Sequence, residues 1–145
     1  MCIFEVREFY TDLTYNYQLV YDLASYTSQS VLFQIQNRND AHILLKAGAR
    51  DFEIVIGGWG NTKSVIRDRM QGPPLSSFQG IVCDENNFKK FMISWSFNVI
   101  RVYKYEDGND DLNIEEGGVE IMKLDNYTGG CTLNPALSGF WKSQN

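Results

Sequence analysis

Apolar and polar residues alternate with a period of two through much of this chain, the pattern of β-strands that bury one face. The clearest tract runs from Asp51 to Arg67, DFEIVIGGWGNTKSVIR. Phe52, Ile54 and Ile56 share one face of a strand, and Glu53 and Val55 share the other. A turn with Gly57, Gly58 and Gly60 around Trp59 follows, and Thr62 to Arg67 resumes the β-rich composition. Glycines permit backbone angles and close approaches that side chains forbid, so the tract reads as a hairpin with an elaborate tip.

The same alternation predicts the other elements. Ile3 to Phe9 and Tyr15 to Tyr21 read as strands, the second with Tyr15, Tyr17, Leu19 and Tyr21 on one face. Val31, Phe33 and Ile35 alternate with Leu32, Gln34 and Gln36 as a third strand. Asn37 to Asp40 is a turn, since Asn and Asp tolerate left-handed angles, and Ala41 to Lys46 is a fourth strand. Gln71 to Gln79 reads as a loop because Pro73 and Pro74 cannot donate to a ladder, with a short strand at Phe78 to Cys83. Phe88 to Trp95 and Val99 to Tyr105 form a second hairpin, Val119 to Leu124 a late strand, and one more is expected near Phe140. No amphipathic helix and no repeat emerges. Strands about ten residues apart with turns between them predict an all-β, antiparallel, jelly-roll-like sandwich with little or no helix.

At 145 residues the chain is expected to be a single domain, residues 1–145, with a real core. Its net charge of −5 and lack of any basic cluster argue against nucleic acid and anionic membranes as partners. Met1 to Tyr10 has no apolar signal region, no run reaches membrane-spanning length, and the three cysteines, Cys2, Cys83 and Cys131, are odd in number and widely spaced. Free thiols in a cytoplasmic protein are the plain expectation; an extracellular place would require that a signal or a neighbouring domain had been removed.

Candidate chemistry is sparse. The glycine turn is not spaced as G-x-G-x-x-G, and a strand rather than a helix follows it, so a nucleotide loop is not expected. Asp107, Asn109, Asp111 and Asn113 alternate as calcium ligands do, but Leu112 and Gly118 stand where such a loop needs glycine and a bidentate carboxylate. An acidic hairpin loop is the better reading. His42 is the only histidine, so a zinc site or a catalytic arrangement with Ser64, Ser94 or Cys83 would have to use it; a structural hydrogen bond is favoured. No catalytic residue, metal site or cofactor is assigned. Trp59 is either an aromatic face for a ligand, with Asn61, Lys63 and Arg67 as polar neighbours, or a plug closing one end of the sandwich.

Asp40 to Leu45, DAHILL, followed by FEIVIGGWGNTKSVIR at Phe52 to Arg67, resembles the domain named after farnesoic acid O-methyltransferase. That pattern joins an F-x-V-like strand to DAHI, YEIVIGGW-x-N-x-S-x-IR, an ISW hairpin and a glycine-rich close ending in Trp. Its counterparts are Phe33 to Ile35, Asp40 to Ile43, Phe52 to Arg67, Ile93 to Trp95, and Gly139 to Trp141. Where the family has a turn glycine after ISW, this chain has Asn98, the non-glycine residue best suited to positive φ. The resemblance implies that Asp40, His42, Gly57, Gly58, Trp95 and Trp141 are motif positions, with Asp40 expected to pair with Arg67. Its name implies methyl transfer from S-adenosylmethionine to farnesoic acid.

The residues favour a different role, a non-enzymatic module for a carbohydrate or another small polar ligand, with Trp59 stacking and Asn61, Lys63 and Arg67 orienting. Methyl transfer is the alternative. A protein-interaction module using tyrosines of the second strand is a third.

Overall fold

The computed structural model describes residues 30–47, 50–125 and 135–138. Among these residues there are nine strands: β1 Ser30–Ile35, β2 Ala41–Ala47, β3 Arg50–Gly57, β4 Lys63–Asp68, β5 Pro74–Gln79, β6 Lys89–Ser94, β7 Val99–Lys104, β8 Val119–Asp125 and β9 Pro135–Ser138. They form two antiparallel sheets, β1-β6-β7-β8 and β5-β4-β3-β2-β9. The architecture is the all-β sandwich that the alternation predicts. Among the described residues the longest helical segment has four residues, and no helix is long and apolar enough to cross a membrane.

Register decides what each face holds. Ile43, Ile54 and Ile66 lie opposite one another across β2, β3 and β4, and all three are fully buried. With Leu45, Phe52 and Ile56 they meet Phe33, Phe91, Ile93, Ile100, Val102 and Met122 of the other sheet in one core. Phe33 and Phe91 stack across β1 and β6, ring centroids 5.9 Å apart. Each such side chain contributes on the order of 2 kcal/mol by leaving water. Trp95, just beyond β6, is 2 % exposed and belongs to this core.

Two boundaries differ from the sequence reading. Pro74 to Gln79 is strand β5 rather than loop, because Pro74 is the first residue of an edge strand, where a missing N–H costs little. Residues 80–84 are irregular rather than a strand; the Asn61 side chain holds Val82 and Cys83, and single backbone bonds to Thr62 and Asn37 hold Gly80 and Asp84. The predicted strands at 3–9 and 15–21, and the stretch from Gly139, lie outside the described residues.

Antiparallel order sends four connections to one end of the sandwich. They are the β1–β2 turn, the β3–β4 tip, the segment 80–88 and the long loop 105–118. Hydrogen bonds lock them together: Asp40 N–H to Gly57 O at 2.9 Å, Asn37 N–H to Asp84 O at 3.2 Å, and the Gln34 amide to Asp110 O at 2.6 Å. The β6–β7 turn lies at the opposite end. There Phe97 (φ 56°) is 93 % exposed and Asn98 adopts φ 60°, as expected of the residue replacing the turn glycine.

Candidate functional site

The β3–β4 tip is a short left-handed turn. Trp59 (φ 51°, ψ 53°), Gly60 (φ 69°, ψ 35°) and Asn61 (φ 64°) occupy the left-handed region in succession. That conformation costs an L-residue about 1–2 kcal/mol, so Trp59 and Asn61 must be held there by something else. The Thr62 N–H bonds Gly58 O at 3.0 Å, and the Thr62 hydroxyl donates to Trp59 O at 2.7 Å. Asn61 supplies the root: its Oδ1 accepts the N–H groups of Val82 and Cys83 at 3.1 and 2.9 Å, and its Nδ2 donates to Cys83 O at 2.9 Å. At Gly57 (φ 70°) a Cβ would stand 2.4 Å from Cys83 Sγ, so the tip can enter only through glycine.

Held this way, the Trp59 ring is carried outward and is 53 % exposed. Lys63 Nζ sits over it, 4.1 Å from the ring centroid. An exposed aromatic ring can stack against a flat apolar surface, and an ammonium on one of its faces adds a positive charge beside it. Beside the tip, Ile81, Cys83, Lys89, Lys90, Tyr105 and Asp107 line a cleft of about 240 Å³.

Beneath the tip, on the β2–β4 face turned away from the core, lies a buried charged network. Glu53 is fully buried, and its Oε1 accepts from Arg67 Nε at 2.5 Å and from the Gln71 N–H at 3.2 Å. Arg67 Nη2 adds a second contact. His42 lies between carboxylates, Nδ1 3.6 Å from Glu53 and Nε2 3.9 Å from Asp40. Burial alone pulls the His42 pKa down, but hydrogen bonding and attraction to Asp40 and Glu53 outweigh it, leaving the pKa above the ordinary 6.5.

The acidic loop owes its shape to a lysine. Lys90 is 4 % exposed, and its ammonium donates to Ile114 O at 2.5 Å, Asp111 O at 2.7 Å and Asn109 Oδ1 at 3.3 Å, over the Tyr105 ring at 4.1 Å. Of the four side chains spaced as calcium ligands would be, only Asn109 meets this ammonium, and Asp107 pairs with Lys89. Asp111 instead caps its own turn by accepting from Asn113 N–H at 2.9 Å. Among the described residues no group of His, Cys, Asp and Glu side chains is placed to hold a metal.

The expected site residues thus separate. Trp59 and Lys63 come together; Trp59 is a presented ring and not a plug. Asn61 is committed to the backbone at 82–83. Arg67 lies four residues along β4 from Lys63, roughly 13 Å away at strand rise, and is committed to Glu53. Asp40, expected opposite Arg67, stands beside His42, so the two belong to one network through His42 and Glu53. Of the nucleophile candidates, Ser64 Oγ accepts the Gly57 N–H at 3.0 Å in the interior. Burial, helped by the charge of Asp40, pushes the Cys83 thiol up to about 12, where it is inert. Trp141 and the tyrosines of the predicted second strand lie outside the described residues. Sequence reading passed over Glu53 and Lys90. The signal for Glu53 is a lone carboxylate inside an apolar strand, with Arg67 at the matching place on the next strand.

Searches of the curated proteins and of the solved structures each gave no match. A family model described as farnesoic acid O-methyltransferase matches residues 11–115, well over half of the chain. The stretch includes the Trp59 tip, the His42–Glu53–Arg67 network and most of the Lys90 loop. The chain belongs to the farnesoic acid O-methyltransferase family.

Proposed function

We propose that the domain is a recognition module that binds a saccharide or another small polar ligand at the Trp59 tip. One observation carries the reading: a tryptophan held in the left-handed region, 53 % exposed, with a lysine over its ring. Backbone strain of this kind persists only when surrounding contacts enforce it, and it concentrates where a side chain must be presented. Asn61 and Thr62 enforce it from below, so little further ordering is needed when a ligand stacks.

The second reading, methyl transfer from S-adenosylmethionine, is favoured by the family description. The residues at the tip do not fit that cofactor. The glycine turn leads into strand β4, so it offers no helix N-terminus to a charged group. The adjoining cleft, about 240 Å³, is below the range of about 300–1,000 Å³ usual for sites of drug-sized ligands.

Calorimetric titration of the full chain and of Trp59→Ala with a saccharide panel, and separately with S-adenosylmethionine and farnesoic acid, tests both readings. Saccharide binding that disappears in a folded Trp59→Ala protein supports the module. Saturable S-adenosylmethionine binding unaffected by Trp59→Ala, with no saccharide bound, would reverse the order of the two.

A further inference from the structure

We infer that the cleft beside the tip is a binding site of its own, which takes one zwitterionic α-amino acid with an apolar side chain. Its placement follows from strand parity. Ile100 and Val102 of β7 face the core and are fully buried. Lys104, two residues on, belongs to the same face and lies directly across from the buried Phe91 of β6. The Tyr105 N–H still bonds Lys90 O, so the chain stays extended beyond β7, and Glu106 lines the cleft together with Lys104. The alternation that builds the core thus sets an ammonium and a carboxylate over its open end.

The charges around the cleft divide into committed and uncommitted ones. Lys89 pairs with Asp107 at 2.5 Å, and Lys90 is held by Asn109 and the carbonyls of Asp111 and Ile114. Asp84 accepts from the Asn86 N–H at 2.8 Å and from the Asn87 amide at 3.1 Å. Among the described residues Lys104 has no carboxylate partner and Glu106 no cation partner, and they do not pair with each other. An α-amino acid carries both complementary charges on one carbon. Its carboxylate accepts from Lys104 while its ammonium donates to Glu106, whereas an ion of one sign leaves one of the two groups unmatched. Phe91 and Val82, 1 % and 6 % exposed, with Ile81 at the rim, provide apolar wall against which the ligand's side chain leaves water. At about 240 Å³ the cleft falls below the range of about 300–1,000 Å³ for drug-sized ligands, which suits a molecule as small as valine or leucine.

The test titrates the full chain with L-leucine and with its two halves, followed by backbone amide chemical shifts. The halves are 4-methylpentanoate, which lacks the ammonium, and 3-methylbutylamine, which lacks the carboxylate. Circular dichroism confirms that Lys104→Met, Glu106→Gln and Trp59→Ala are folded. Leucine is expected to shift the amides of 81–84 and 104–107 and to bind about tenfold more tightly than either half, as for a hydrogen bond between charged groups. Lys104→Met is expected to lower leucine to the affinity of the amine, and Glu106→Gln to that of the carboxylate. Trp59→Ala is expected to leave leucine binding unchanged. A half that binds as tightly as leucine, or leucine affinity unaltered in both charge variants, would overturn the zwitterion selection. Absence of saturable leucine binding would overturn the site itself. Neither failure touches the reading of the Trp59 tip, which is tested with saccharides.

Discussion

Two lysines of this domain each lie 4.1 Å from the centroid of an aromatic ring, Lys63 over Trp59 and Lys90 over Tyr105, at the same end of the sandwich. Their surroundings are opposite. Lys90 is 4 % exposed, with carbonyls of Asp111 and Ile114 and the amide oxygen of Asn109 around its ammonium. Lys63 has the ring beneath it and solvent beyond. The same pair chemistry makes an internal strut in one place and a half-exposed surface contact in the other. What separates the two is the number of fixed oxygens supplied by the chain, so a cation–π contact by itself assigns no role.

The difference is measurable. Lys90→Met removes the donor shared by three buried or half-buried oxygens and is expected to lower stability by about 3 kcal/mol, read as a shift in the urea midpoint. Lys63→Met is expected to stay within about 0.5 kcal/mol of wild type, as for other exposed pairs. Equal losses would abolish the distinction. Next in size is Asn61→Ala, which strips two N–H groups and one carbonyl at 82–83 of their partner. A loss of about 2 kcal/mol is expected, together with weaker ligand binding because the left-handed turn loses its anchor. If binding weakened while stability held, Asn61 would be a ligand contact after all.

The division between strut and site also explains what was legible in the sequence. Period-two alternation located β1, β2, β3, β4, β6, β7 and β8 because a face buried against a second sheet demands apolar residues at every other position. It failed at β5, where an edge strand needs few apolar residues and tolerates Pro74. Trp59 and Lys63 were legible as candidates because tryptophan between glycines is unusual in a turn that only has to reverse the chain. The duties of Asn61, Arg67 and Lys90 were not. Each is settled by a partner 14 or more residues away, Cys83, Glu53 or Ile114, and local spacing carries no sign of such pairings. The run at 107–113 was legible as an acidic loop, but local spacing gave no sign that Lys90 binds Asn109 and the carbonyls of Asp111 and Ile114.

His42 links the buried network to the tip, since Asp40 beside it also holds Gly57 O through its N–H. The groups facing the imidazole are Asp40 on the β1–β2 turn and Glu53 on β3, the latter shared with Arg67 on β4. Because the folded-state pKa lies above 6.5, the imidazolium's contribution to stability is complete below that pH and is lost as pH rises through the raised value. The melting temperature of the wild type is therefore expected to fall by a few degrees on going from pH 6 to above this window. His42→Gln removes this component. An identical pH profile in that variant would show that the slope arises elsewhere.

The smallest effect isolates the backbone of the tip from its chemistry. Trp59→Ala and Trp59→Gly both remove the ring and the contact with Lys63, so both are expected to lose saccharide binding completely. They differ only in that alanine must still enter the left-handed region at φ near 51°, while glycine does so without a Cβ clash. The glycine variant is expected to be the more stable of the two by about 1 kcal/mol, measured by urea denaturation. A more stable alanine variant would mean that residue 59 leaves the left-handed region in solution, and the argument from strain to presentation would fail. If glycine wins as expected, the chain retains at position 59 a residue that is worse for folding than the neighbouring Gly58 and Gly60. The surplus strain then supports the proposal that the indole ring serves a ligand.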